Sequence, residues 1–255
     1  MIKPIGERLS TVLPADRIKT RYIDLVSYGA DAGFYYLQPQ AVVRPVSESE
    51  IVSLFNFSHR EKIPLVFRTG GTSLSGQSIT DGILVDLSQY WNKLTVEQNG
   101  ELVRVQPGIT GAMVNAYLQK YNRKIGPDPS SISAAMMGGI LSNNSSGMCC
   151  GVAANAYHTT KYIRFILPDG LTFSTEIASD YDRFEKECPL IFHELQQLRE
   201  EILANTALHD RIRKKYKTKN TVGYSINAFI DHTHPLDILA QLLIGAEGTL
   251  AFIAE

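Results

Sequence analysis

The sequence predicts a mixed α and β chain, folded as one domain of two lobes or as two small domains, and three observations support this. Its 255 residues are enough to bury a substantial core. Hydrophobic residues make up 44% and charged residues 20%, the ordinary balance of a globular protein rather than a disordered one. Apolar residues recur at period two in some segments and at helical spacing in others, in alternation along the chain.

The elements follow in order. Residues 1–33 read as a polar start with helical stretches, and FYYLQPQAVVRPVS then reads as a strand ended by Pro45. Ser47 with Glu50 gives the S-x-x-E capping signature of a helix, continued by Ile51, Leu54 and Phe55, that stops before Ile63-Pro64. Leu65 to Phe67 and Gly82 to Leu87 read as buried strands, Leu102 to Gln106 as a third, and Thr110 to Gln119 as a helix. Residues 125–151 are dense in Gly, Ser, Asn and Pro but poor in charge, the pattern of backbone wrapped around a ligand. Tyr162 to Leu167, Pro168-Asp169-Gly170 and Leu171 to Thr175 form a hairpin signal. Ile191, Leu195, Leu198 and Ile202 mark the apolar face of a surface helix. The basic run from Arg211 to Lys217 reads as a solvated face, and Leu239 to Glu255 as a helix or strand leading into a β-prone end.

Charge and cysteine usage narrow the function classes. With 25 basic and 26 acidic residues the formal net charge is -1, so the chain carries no footprint for nucleic acid and a small-molecule partner is expected. No apolar run approaches the ~20 residues of a spanning helix. The N-terminal MIKPIGERLS lacks the apolar core of a secretory signal, which makes the cytoplasm the default location. Cys149, Cys150 and Cys188 fit neither a disulfide framework nor a zinc spacing and are expected to be reduced, buried thiols. An iron-sulfur cluster needs about four thiolates, more than this chain has.

The segment Arg68-Thr69-Gly70-Gly71-Thr72-Ser73-Leu74-Ser75-Gly76-Gln77 follows an apolar strand and offers many N–H groups without bulky side chains. Such a loop suits a pyrophosphate, because successive N–H groups make an anion-binding concavity and glycine lets a phosphate approach the main chain. A plain glycine-rich turn is the bland alternative. GxxxxGK[ST] is absent, since Gln77 and Ser78 follow Gly76, and no GxGxxG opens a strand–helix unit, so neither a P-loop nor a Rossmann site is supported.

Three such loops occur in one order: RTGGTSLSGQ, then GPDPSSISAAMMGGILSNNSSG, then IGAEGTLAFI. Together they closely resemble the FAD-binding domain of the vanillyl-alcohol oxidase and p-cresol methylhydroxylase (PCMH-type) superfamily. Lys219-Asn220-Thr221-Val222-Gly223-Tyr224 resembles the KxxTGY-type segment of its D-lactate, glycolate and D-2-hydroxyglutarate dehydrogenase branch. The resemblance covers roughly residues 35–255 and implies an α+β, two-lobed PCMH-type fold. Lobe one would span about 30–90 and lobe two about 95–255, with FAD extended between them.

Carried across by position, the resemblance implies these contacts. Arg68, Thr69, Gly70, Gly71, Thr72, Ser73, Leu74, Gly76 and Gln77 hold the pyrophosphate and the flavin's sugar-like chain, and Pro107 and Gly108 line the adenine side. Pro127, Asp128, Ser130, Ser131, Gly138, Gly139, Asn143, Asn144, Ser145 and Gly147 run along the flavin and diphosphate, and Glu247, Gly248 and Ile253 contact adenosine. Met136, Asn143, Ala246 and Ala251 depart from the usual Thr, Thr, Ser and Gly, so there the resemblance carries backbone contacts only. Thr72 stands where covalent flavoproteins of the superfamily place His, and no Cys falls at the Pro127-Asp128 loop, so dissociable FAD is expected.

The implied reaction is oxidation of a D-2-hydroxy acid, with hydride passing to the flavin. That chemistry needs a base and a cation near the substrate. The resembling dehydrogenases carry these on a cap domain that follows, so no catalytic residue is assigned here and the chain alone is expected to bind FAD without turnover. Ser145 to Gly151 with Tyr157-His158-Thr159 resembles members fused to an iron-sulfur domain. The electron acceptor is therefore expected outside this chain, with the whole protein free to sit at the inner membrane face. An oxygen-using oxidase and a non-catalytic FAD module are the alternatives; a UDP-sugar reductase of the same fold is disfavoured by segments 219–224 and 245–250. His158 reads as a polar histidine beside the second loop, and Asp231, His232 and His234 as an exposed loop rather than a metal site.

Overall fold

The computed structural model describes residues 3–255. The chain opens with α1 (Ile5–Leu9), a single 3-10 turn, β1 (Ile18–Lys19) and α2 (Tyr22–Ser27). β2 (Ala41–Val43) is shorter than the expected strand. Phe34 to Leu37 are exposed, and Tyr36 makes one isolated bridge to Ala30. These side chains find no apolar sheet face to cover, and Pro39 removes a ladder donor.

α3 (Glu48–Glu61) begins as expected at Ser47, whose hydroxyl accepts from Glu50 N. The Glu50 carboxylate reaches back to Val46 N at 2.7 Å and also binds Arg17 at 2.6 Å. β3 (Leu65–Arg68) and β4 (Ile83–Asp86) follow. These strands form a sheet of order β1-β2-β4-β3, with β2 and β3 parallel to a fully buried β4. Burial on both faces explains the unbroken apolar run Ile83-Leu84-Val85.

β5 (Leu94–Glu97) and β6 (Leu102–Val105) make an antiparallel hairpin, turning at Asn99 and Gly100 with φ 53 and 88. β5 is an addition to the strands expected from the sequence. α4 (Gly111–Leu118) is capped by Thr110. Within 125–151 lies α5 (Met137–Ser142), where the sequence suggested only a wrapping loop. Gly138 and Gly139 mask its helical pattern, while buried Met137 and Ile140 anchor it. α6 (Ala156–Thr159), β7 (Arg164–Ile166) and β8 (Thr172–Ser174) lead into α7 (Ala178–Glu187), α8 (Pro189–Ala204), α9 (Thr206–Lys215), α10 (Ala228–Asp231) and α11 (Pro235–Leu242). On α8 the buried face is Phe192 and Leu195, while Ile191 and Leu198 are exposed. The expected face is rotated because Phe192 joins Phe184 in the core, with ring centroids 6.3 Å apart.

β9 (Phe252–Ile253) completes a sheet of order β8-β7-β9 that divides two cores. Phe165 and Ile253 face the core of Phe173, Phe184 and Leu236. Ile166 and Phe252, their neighbours in sequence, face the core of Val43, Leu54, Phe57 and Trp91 under the first sheet. This is period-two alternation with apolar packing on both faces. A third cluster, Ile109, Val114, Leu118, Met137 and Ile140, sets α5 against α4.

Candidate functional site

The first glycine-rich loop leaves β3 at Arg68. Its guanidinium turns back under the loop, donating to Ala30 O at 2.8 Å and Tyr28 O at 3.2 Å and stacking over the Tyr28 ring. Gly71, at φ 63, has no room for a Cβ beside that guanidinium. Arg68 therefore shapes the loop, its guanidinium lying against Gly71 and tied to the carbonyls of Tyr28 and Ala30. Ser73 and Gln77 pair with each other through their side chains. The N–H groups of Gly70, Gly71, Thr72, Ser73 and Leu74 find no acceptor among the described residues. Five adjacent N–H groups on a partly buried loop thus remain available as donors, the supply an anion would need.

The expected segments converge on α5. Gly138 N donates to Pro107 O at 3.0 Å and Met137 N to Ile109 O at 2.8 Å. A Cβ on Gly70 would overlap the Ala134 carbonyl, and one on Gly138 would lie 2.6 Å from Pro107 Cβ. At the other end of α5, Gly245 N donates to Leu141 O at 3.0 Å and Glu247 N to Ser142 O at 2.8 Å. Glu247 and Gly248 adopt φ 54 and 73 there, and burial raises the pKa of the Glu247 carboxyl.

Asp128 is engaged within the protein. Its carboxylate accepts from Gly147 N at 2.9 Å, Cys149 N at 3.0 Å and Cys150 N at 3.2 Å. Desolvation pushes this carboxyl upward, but the N–H donors led by Cys149 outweigh it and hold the group at about 2. Asp128 thus clamps 127–131 to 147–150, with its carbonyl packed against Gly147. Asn143 donates to Ser145 Oγ at 2.9 Å, and buried Asn144 accepts from Tyr157 N at 3.3 Å. Cys150 and Cys188 are buried but Cys149 is exposed, because the clamp turns its side chain outward, against the expectation of three buried thiols.

Beside α5 opens a cavity of ≈ 570 Å³. Pro107, Pro127, Gly138 and Ile253 line it, as do Val103, Val105 and Leu141. Thr159, Thr160 and Arg104 also line it and were missed by the sequence reading; the small polar Thr159-Thr160 pair ahead of β7 was the available signal. Arg104 ties the rim together, contacting Glu176 and Glu255 at 2.8 Å and Glu97 at 3.0 Å. The cavity does not reach the first loop. Gly138 stands between them, with Thr69 Cγ2 3.2 Å from where its Cβ would be.

In sequence stand a chamber of mixed apolar and charged lining, a glycine pair, then a row of N–H groups without an internal acceptor. The arrangement fits an extended ligand with an aromatic ring at one end and an anionic bridge in the middle, which are the features of FAD. Among the histidines, His158 Nδ1 contacts Asn155 Oδ1 at 2.8 Å beside the second loop. His234 Nδ1 accepts from Leu236 N at 3.1 Å and caps α11, while Asp231 accepts from Tyr157 Oη at 2.8 Å. No helix among the described residues is long and apolar enough to cross a membrane.

D-2-hydroxyglutarate dehydrogenase of Pantoea ananatis is 30% identical over 245 residues, an alignment covering 92% of this chain and 24% of that protein. The chain thus spans about a quarter of that relative's length. Among solved structures, an alkyldihydroxyacetonephosphate synthase superposes with a TM-score of 0.62 at 17% identity, covering 100% of this chain and 38% of its own. p-Cresol methylhydroxylase superposes with a TM-score of 0.55 at 17% identity, covering 67% of this chain and 34% of its own. These likenesses show the PCMH-type α+β fold. The family model described as FAD binding domain matches residues 39–176, more than half of the sequence, and the chain belongs to that FAD-binding family.

Proposed function

We propose that these residues are the flavin-holding part of a dehydrogenase that oxidises a D-2-hydroxy acid of the D-2-hydroxyglutarate, D-lactate or glycolate type. The observation that carries the reading is the convergence on α5 of three separate segments, the first loop, 107–109 and 245–247, between a cavity and a row of N–H groups without an internal acceptor. The relative named above supports the substrate class. When bound, FAD supplies the acceptor for the hydride leaving the substrate's Cα.

The chain's own residues bind and orient. Gly70 to Leu74 offer N–H groups to the pyrophosphate, with Gly76 and Gln77 closing the loop. Gly139 lets the main chain approach the phosphates while Gly138 seats α5 on Pro107, and Pro107, Gly108, Glu247, Gly248 and Ile253 surround the adenosine. The clamp made by Asp128 sets the path of Ser131, Asn143, Asn144, Ser145 and Gly147 along the flavin. Thr72 offers no nucleophile of the kind that tethers flavin, so the cofactor is non-covalent. The division into lobes at about 30–90 and 95–255 follows the same reading, with the base, the substrate cation and the electron acceptor supplied from outside these residues.

The test is direct. The purified chain should show a flavin spectrum and, on denaturation, release a chromophore that runs as FAD. A colourless protein that fails to bind added FAD would overturn the reading. Reoxidation of the reduced flavin by oxygen, followed spectroscopically, separates an oxidase from a dehydrogenase.

A further inference from the structure

Residues 211–219 put six cations into nine positions, and the reading above leaves them unused. They occupy the end of α9 and the turn after it. Arg211, Arg213, Lys214, Lys215, Lys217 and Lys219 are all exposed. None forms an ion pair among the described residues. On a chain of net charge -1 this is a concentrated local excess.

Its position matters as much as its charge. Lys219 Nζ lies 3.4 Å from both Ser146 O and Gly147 O, in the segment assigned to the flavin. Tyr216 Oη donates to Tyr224 O at 3.0 Å and accepts from Ile226 N at 3.2 Å, fixing the strip to the 224–226 turn. Near the Lys219 contact, Met148 is 100% exposed, Val222 79% and Tyr224 45%. Exposed apolar side chains flanked by charge are the anatomy of a protein interface.

We propose that this face docks an acidic electron-carrier protein, bringing it to the flavin's side of the chain. The proposal rests on the reading that bound flavin is reduced by substrate. The transfer balances as FADH2 giving one electron to each of two oxidised carriers and two protons to solvent. A nucleic acid or an anionic membrane gains nothing from lying beside the assigned flavin segment, whereas an electron carrier has to approach it, and the Lys219 contact with Ser146 and Gly147 puts the strip there.

The experiment uses the FAD-loaded chain and, as probe, the soluble acidic domain of cytochrome b5, with basic cytochrome c as the opposite charge control. Binding is measured by calorimetry without turnover, at low and at 0.3 M salt. R213E/K214E/K217E should weaken cytochrome b5 binding at least tenfold and flatten its salt dependence, while K62E/K93E/K120E, outside the strip, should leave it within twofold. Reduction of cytochrome b5 by the photoreduced chain should slow in parallel. Equal binding by both triple variants, no cytochrome b5 binding by the parent chain, or strip-dependent binding of phosphatidylserine vesicles or duplex DNA in its place would each overturn the proposal. Both variants must keep the parent flavin absorbance. Loss of flavin from the parent chain instead indicts the cofactor reading, so the two failures are distinguishable.

Discussion

Gly139→Ala separates the cofactor role of α5 from its structural role. A Cβ at this position meets one protein atom within contact range, Thr69 Oγ1 at 3.1 Å, at the end of a side chain that can turn. Alanine within a helix is favoured over glycine by roughly 0.5–1 kcal/mol, about enough to offset that contact. The apo protein should therefore unfold within about 1 kcal/mol of the parent. The added methyl would instead stand where the main chain is proposed to meet the cofactor's phosphates. An overpacking penalty of about 1–3 kcal/mol, at about 1.4 kcal/mol per tenfold, weakens FAD binding by roughly 5- to 150-fold. Gly70→Ala is the counterpart, because its Cβ would overlap the backbone oxygen of Ala134, which cannot turn away. That variant should lose about 1–3 kcal/mol of stability together with FAD affinity. Urea unfolding of the apo chains and fluorescence titration with FAD give both numbers. If Gly139→Ala binds FAD like the parent, the cofactor does not pass over that glycine and the reasoning is wrong.

Further outcomes follow from the hydrogen-bond networks. The Asp128 carboxyl is held at about 2, below its unfolded value, so the clamp's contribution is complete above roughly pH 4 and is lost as pH falls through 2. At pH 6, Asp128→Asn should speed hydrogen exchange at Gly147, Cys149 and Cys150, and unchanged protection there would contradict the clamp. Tyr157→Phe removes the donor to Asp231, which keeps Asn227 Nδ2 at 2.9 Å. With Asp231 exposed, about 1 kcal/mol and a fall in Tm of about 2–4 °C are expected by calorimetry. Burial lowers the His234 pKa, so its cap on α11 is fully present above the ordinary value near 6.5 and fades as pH falls through the lowered one. His234→Ala should cost about 0.5–2 kcal/mol at pH 7.5 and less at pH 5, as read by urea midpoints.

The elements legible in the sequence were those whose signal is local. Ser47 and Glu50 announced α3, and Ile83-Leu84-Val85 announced a doubly covered strand. The glycine-rich segments were visible because a main chain that must approach something closely is stripped of bulk. What stayed hidden depends on partners far along the chain. α5 carries two glycines and is held as a helix by burial of Met137 and Ile140, which no propensity reveals. Phe34 to Leu37 have strand composition but no face to cover. Arg68 has the residue type of an anion ligand, yet Tyr28 and Ala30, about forty positions earlier, turn it inward. Arg104 lines the chamber because Glu176 and Glu255 hold it there, a relation that spans 151 positions in the case of Glu255.

The wall between the two cores has a bearing on how the chain matures. Phe252 packs on Phe67 at 4.8 Å and on Trp91 at 5.1 Å, so the hydrophobic interior beneath the first sheet is closed by residues that lie far later in the sequence. During synthesis, the sheet formed by residues 18–86 must wait with an open apolar flank until β9 has left the ribosome. Contacts of such sequence separation carry a large loop-closure entropy and slow folding. Any species in which β9 has yet to dock lacks the cover of Phe252 on Phe67 and Trp91, apolar surface of the kind that aggregates or recruits chaperones.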